Sequence, residues 1–203
     1  MSTALAGGPR ETSTDGATTG GSMNSGAVAD VELDAAAIDE RATIENLMQL
    51  YMHDFSEFAE IGTLHGEVAA DGRFAHGALD VCWREEGWFP LLIRADRRLA
   101  GFALVSPWSA LDRPLDRAVA EFFVLRKYRR ARVGMRAGKL IFERFPGRWE
   151  VPVASYNRPA LPFWRKTVRA SIGRDAEEFA GDGERWSGPV LCFDTRGCPP
   201  RRS

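Results

Sequence analysis

From Arg41 to Phe58, the apolar residues Ile44, Leu47, Met48, Tyr51 and Phe55 recur at three- and four-residue spacing, which predicts a helix packed along one face. Residues 62–87 lose this order, with glycines at 66, 72 and 77 and a short apolar patch at Leu79, Val81 and Trp83, as in a loop or short helix. Phe89–Ala95 and Leu99–Val105 read as two antiparallel strands, because the polar Asp96-Arg97-Arg98 between them is short enough for a hairpin. Pro107 and Pro114 interrupt regular structure before a third strand at Ala118–Leu125. The period then changes: Val133, Ala137, Leu140, Ile141 and Arg144 follow helical spacing up to the Pro146-Gly147 stop. Trp149–Ser155 alternates as a strand, a helix runs from about Arg158 to Val168 with Pro159 in its first turn, and two weaker strands follow at Ala170–Phe179 and Pro189–Asp194. This order predicts an α/β or α+β domain around a mixed sheet.

Residues 1–33 are Gly, Ala, Ser and Thr with scattered charges and no aromatic residue, a composition that cannot offset its own ordering entropy. They are expected to form a disordered tail, with one folded domain over residues 34–203. In the whole chain of 203 residues, 27 Lys and Arg offset 28 Asp and Glu to leave a net charge of -1, so no global field draws it to nucleic acid or an anionic membrane. The absence of a long apolar run argues against a spanning helix or secretory signal, and the expected setting is cytoplasmic. Cys82, Cys192 and Cys198 are odd in number and lack CxxC spacing, and His53, His65 and His76 have no companion acids at ligand spacing, so neither a disulfide framework nor a metal site is expected. His53-Asp54-Phe55-Ser56 holds the residue types of a hydrolase triad, but neighbours on one helix point apart and cannot form that relay.

The chemistry concentrates between the third strand and the next helix. Arg126, Lys127, Arg129, Arg130, Arg132 and Arg136 crowd this junction without an acid among them. Free amides and the macrodipole already make a helix start partly positive, so cations there repel it unless an anion joins them. A phosphate-bearing ligand would resolve the conflict; a solvated basic loop and a nucleic-acid patch are the competing readings.

Arg129-Arg130-Ala131-Arg132-Val133-Gly134 resembles the acetyl-CoA signature of the GCN5-related N-acetyltransferase (GNAT) family, Gln/Arg-x-x-Gly-x-Gly/Ala after a central strand. Asn157-Arg158-Pro159-Ala160 and Phe163-Trp164-Arg165-Lys166 are similar to that family's Asn-x-x-Ala and the aromatic helix after the next strand. The resemblance spans about Asp34 to Asp194. It implies the GNAT fold, a mixed and mostly antiparallel sheet flanked by helices, and acetyl-CoA as co-substrate without a metal. The implied reaction moves an acetyl group to a primary amine, of a small molecule or a protein, by direct attack in a ternary complex. The alternative is a catalytically weak or inactive acyl-CoA-binding regulatory domain of the same fold.

By resemblance, the pantetheine arm pairs with the backbone of Phe123, Val124 and Leu125, and the pyrophosphate meets Arg129, Arg130, Arg132, Val133, Gly134 and Met135. Asn157 either bonds the pantetheine or caps the following helix. Glu121 is the general base or an exposed strand carboxylate, and the Val124 amide polarises the thioester carbonyl. Asp54, Glu85 and Glu86 are further acids for the acceptor side. Trp83, Trp88 and Trp108 read as core and rim. The chain departs from the family pattern twice. Arg132 replaces the first signature glycine, which costs energy if the position needs positive φ yet adds a donor near two phosphates. Trp164, included among the cofactor-binding residues, stands where many members carry the tyrosine that protonates the departing thiolate, a step indole cannot perform. The apolar Pro189–Phe193 run reads as a sheet edge through which a homodimer could form.

Overall fold

One seven-stranded sheet organises the chain in a computed structural model that describes residues 30–58, 66–77 and 79–196. Its strands are β1 (Val31–Ala35), β2 (Phe89–Ala95), β3 (Arg98–Ser106), β4 (Arg117–Val124), β5 (Arg148–Pro152), β6 (Glu177–Ala180) and β7 (Pro189–Asp194). The helices are α1 (Arg41–Ser56), α2 (Val81–Arg84), α3 (Val133–Arg144) and α4 (Ala160–Ile172). Strand order is β1-β2-β3-β4-β5-β7-β6, and every neighbouring pair is antiparallel except β4 with β5. That parallel pair needs a crossover, which α3 supplies.

The two faces of the sheet carry separate cores. Ile44, Leu47 and Met48 of α1 pack with Phe102, Leu104 and Phe123 on one face. On the other, Ile141 and Phe142 of α3 and Trp164 and Val168 of α4 pack with Trp149 and Val151. The helices α3 and α4 approach closely at Gly138, where an added Cβ would lie 2.7 Å from Thr167 Cγ2. The β-branched Thr167 cannot swing aside, so Gly138→Val is expected to cost about 2 kcal/mol by overpacking, read as a lower urea midpoint with an unchanged slope.

Three expectations change. Val31 and Leu33 belong to β1, paired with Ala95 and Ile93, so the ordered region begins before Asp34; residues 1–29 lie outside the described part. The strand expected at Ala170–Phe179 is only β6, because α4 continues through Val168 and Ile172 and stops at Gly173, whose φ of +76° suits glycine. The Pro189–Phe193 run is no sheet edge: β7 lies between β5 and β6, and the edge strand is the shorter β6, which carries Glu177 and Glu178. The basis for a homodimer through that run therefore falls away.

The β2–β3 hairpin turns on Asp96 and Arg97, both at positive φ (48° and 63°), the geometry that matches strand twist. Among the described residues, no helix is long and apolar enough to cross a membrane, and no three His, Cys, Asp or Glu residues group as metal ligands. Cys82 is buried and Cys192 half-buried, both as free thiols. Cys198 and His65 lie outside the described residues.

Candidate functional site

The strands β4 and β5 pair only over Arg117–Ala118 and Trp149–Glu150, and beyond that point they diverge. The opening lies toward the carboxyl ends of two parallel strands, where α/β sheets place ligands. Two lobes fill it, of about 690 and 580 Å³, sharing Tyr51, Phe55, Phe58, Phe122, Asn157, Ala160 and Phe163 along their common wall.

The larger lobe is cationic. Arg129, Arg130 and Arg132 line it with Phe123, Val124, Gly134, Met135 and Asn157. The first backbone bond of α3 runs from Arg136 N–H to Arg132 O, so the amides of Val133, Gly134 and Met135 precede the helical ladder and emerge at its N-terminus. That helix start has neither an acid in its first turn nor a side-chain cap. Arg132 sits at φ 61°, ψ 6°, the left-handed conformation a signature glycine would supply, and Arg130 also has positive φ at 68°.

The arginines divide into two pairs. Arg126 and Arg129 both hold Asp54 at the end of α1, with Arg126 Nε 2.9 Å from Asp54 Oδ1. Arg129 Nε also donates to Val124 O at 2.8 Å, so this side chain braces the mouth of the opening. No hydrogen bond or ion pair to another described residue holds the side chain of Arg130 or Arg132, so both guanidinium groups line the lobe uncommitted. Because Leu125 N–H donates to Ala100 O and direction alternates along a strand, the N–H and C=O groups of Val124 point away from β3, into the opening.

Glu121 lines the smaller lobe. A bulge sets Leu104 opposite Glu121 and Val105 opposite Val119, which turns Ala120 as well as Phe123 toward the α1 face. The Tyr51 hydroxyl of α1 lies beside the Glu121 carboxyl, close enough for each to influence the other's titration. Burial pushes that carboxyl up to about 7, with the neighbouring Tyr51 hydroxyl pulling the other way. Burial and the nearby Glu121 raise the hydroxyls of both Tyr51 and Tyr156. A carboxyl titrating near neutrality inside an apolar cleft is suited to taking a proton.

The remaining sequence-predicted residues separate clearly. Leu125 packs against the α1-side core, and Val133 is fully buried, so any contact of Val133 with an anion is through its amide. Asn157 does not cap α4: Pro159 occupies the cap position without a side-chain bond, and Asn157 faces both lobes. Trp164 is 5% exposed, between Phe122, Phe142 and Gly138, and touches only the smaller lobe. Asp54 is committed to its arginines, and neither Glu85 nor Glu86 lines a lobe. Trp83 and Trp88 are core residues, whereas Trp108 packs on Trp186 at the surface. Tyr51 and Tyr156 were not singled out by sequence as site residues; the available signal for Tyr51 was a phenol on a core-facing helix stripe, which must find a polar partner.

No protein-family model matches the chain, and the comparison with curated proteins returns no match. Solved structures do match. An acetyltransferase of the GNAT family from Staphylococcus aureus Mu50 aligns at a TM-score of 0.50 and 11% identity, over 82% of this chain and 100% of that one. A domain from Methanocaldococcus jannaschii aligns at a TM-score of 0.52 and 9% identity, over 82% and 99%. The fold is that of the GCN5-related N-acetyltransferases. At such identity the likeness concerns the GNAT fold alone, so residue roles rest on the geometry of this cleft.

Proposed function

We propose that the protein transfers an acetyl group from acetyl-CoA to a primary amine by direct attack in a ternary complex. One observation carries this reading: the β4–β5 opening joins an anion-seeking helix start at one end to a carboxyl near pKa 7 at the other. Arg130, Arg132 and the amides of Val133, Gly134 and Met135 would hold the pyrophosphate. Of the strand end at Phe123–Leu125, Val124 presents its backbone to the opening and would meet the pantetheine arm, and Asn157 lines the same lobe. Acetyl-CoA supplies an activated thioester.

Glu121 takes the proton that the amine must lose before or as it attacks. Val124 N–H donates to the carbonyl oxygen on which negative charge grows. The amine nitrogen bonds the carbonyl carbon, the C–S bond breaks, and sulfur leaves with the electron pair as thiolate. Trp164 contributes packing, and a proton for the thiolate comes from solvent.

Calorimetric titration of acetyl-CoA into the full chain tests the cofactor assignment before any acceptor is known. Saturable binding with a Kd on the order of micromolar, weakening as ionic strength rises, is expected. Absence of binding would overturn the acyl-transfer reading while leaving the fold intact.

A further inference from the structure

Resting on that reading, we propose that the acceptor is a monoamine carried on an uncharged apolar or aromatic body, bound in the smaller lobe with its nitrogen at Glu121. This lobe of about 580 Å³ far exceeds what an acetyl group and an amine nitrogen occupy, so most of it is available to the acceptor body. Aromatic rings dominate its wall. Tyr51 and Phe55 pack at a tilt of 58° with centroids 4.4 Å apart, Phe55 meets Tyr156 edge-on at 6.0 Å, and Phe58 lies 6.3 Å from Tyr156. Together these rings link α1 to the β5–α4 connection, and Trp186 from the β6–β7 turn also lines the lobe.

Charge narrows the choice further. Among the described residues, Glu121 is the one acid lining this lobe, and no Lys or Arg lines it. A polyamine would place its first nitrogen at Glu121 and lay its further ammonium groups along the rings, with no second acid among the described lining residues to pair them and only cation–π attraction in its place. A free amino acid would bring a carboxylate close to Glu121 with no Lys or Arg among the described lining residues to receive it. A neutral apolar body avoids both penalties and displaces water from the rings.

Phenethylamine, spermidine and phenylalanine distinguish these cases. Each is titrated calorimetrically into the full chain at about pH 8, with and without CoA, and then assayed as acceptor by acetyl-CoA-dependent thiol release. Phenethylamine is expected to bind, and to show a KM, at least about tenfold below the other two. Tyr156→Ala should raise its KM by about tenfold with a much smaller change in kcat and an unchanged acetyl-CoA Kd, because Tyr156 does not line the larger lobe. Spermidine or phenylalanine binding as tightly as phenethylamine, or phenethylamine failing to bind, would overturn the proposal. The two readings fail differently: transfer to spermidine alone removes the apolar acceptor and keeps the transferase, whereas tight phenethylamine binding without transfer removes the transferase and keeps the amine site.

Discussion

Glu121→Gln is expected to lower kcat/KM for the amine by on the order of 100-fold and to stabilise the fold above neutral pH. The first effect follows from losing the proposed base while keeping the side chain's size and its capacity to donate and accept hydrogen bonds. The second follows from the environment that makes the base useful. Burial raises the carboxyl from the ordinary 4.5 to about 7, so the neutral form suits the fold and the ionised form strains it. A group raised in this way contributes its full stability below about pH 4.5, loses it progressively as pH rises, and has lost all of it above about 7. That shift corresponds to about 3 kcal/mol, which glutamine, having no proton to lose, does not forfeit. Urea unfolding should therefore give a wild-type midpoint that falls between about pH 5 and pH 8 and a variant midpoint that falls much less. Wild-type kcat/KM should rise with pH through a limb near 7 that the variant lacks. A limb at the same pH in both proteins would assign it to another group and remove Glu121 from the proton transfer.

The legibility of this site in the sequence followed the range over which each feature is encoded. The apolar stripe of α1 and the β2–β3 hairpin are local periods, and both lie within a residue or two of where they were expected. β1 offers only Val31, Leu33 and the small Ala35 as alternating apolar residues, and its ordering comes from pairing with β2, far along the chain. The internal position of β7 is likewise a property of sheet order, invisible in the apolar run itself. Glu121 could be found as a strand carboxylate near the arginine loop, yet its partner Tyr51 depends on how α1 lies across the sheet. Trp164 illustrates the limit of motif alignment. Its place in the motif matches a catalytic tyrosine, but α4 begins at Ala160, and its period turns Trp164, Val168 and Ile172 into the core while Phe163 reaches both lobes.

The arginine loop separates two effects that the sequence left entangled, the strain of a left-handed arginine and the attraction of its charge. Replacing Arg130 and Arg132 together with alanine is expected to raise the acetyl-CoA Kd by on the order of 100-fold, because both guanidinium groups face the cationic lobe uncommitted while Arg126 and Arg129 are held by Asp54. Alanine disfavours positive φ much as arginine does, so this variant changes charge with little relief of strain. Arg132→Gly does the opposite for the backbone. It should raise stability by about 1 kcal/mol, a Tm gain of a few degrees in a domain of this size, since the left-handed geometry at φ 61° is then free of a Cβ. The strain is present in the folded protein before any ligand arrives, so it should appear in Tm and not in affinity. Arg132→Ala and Arg132→Gly are therefore expected to share one Kd and differ in Tm. If the glycine variant bound acetyl-CoA markedly more tightly than the alanine variant, the loop would be forming on binding instead of waiting in place. If the double alanine variant bound like wild type, the α3 amides alone would hold the pyrophosphate, and the cations would have to be explained by some other anion.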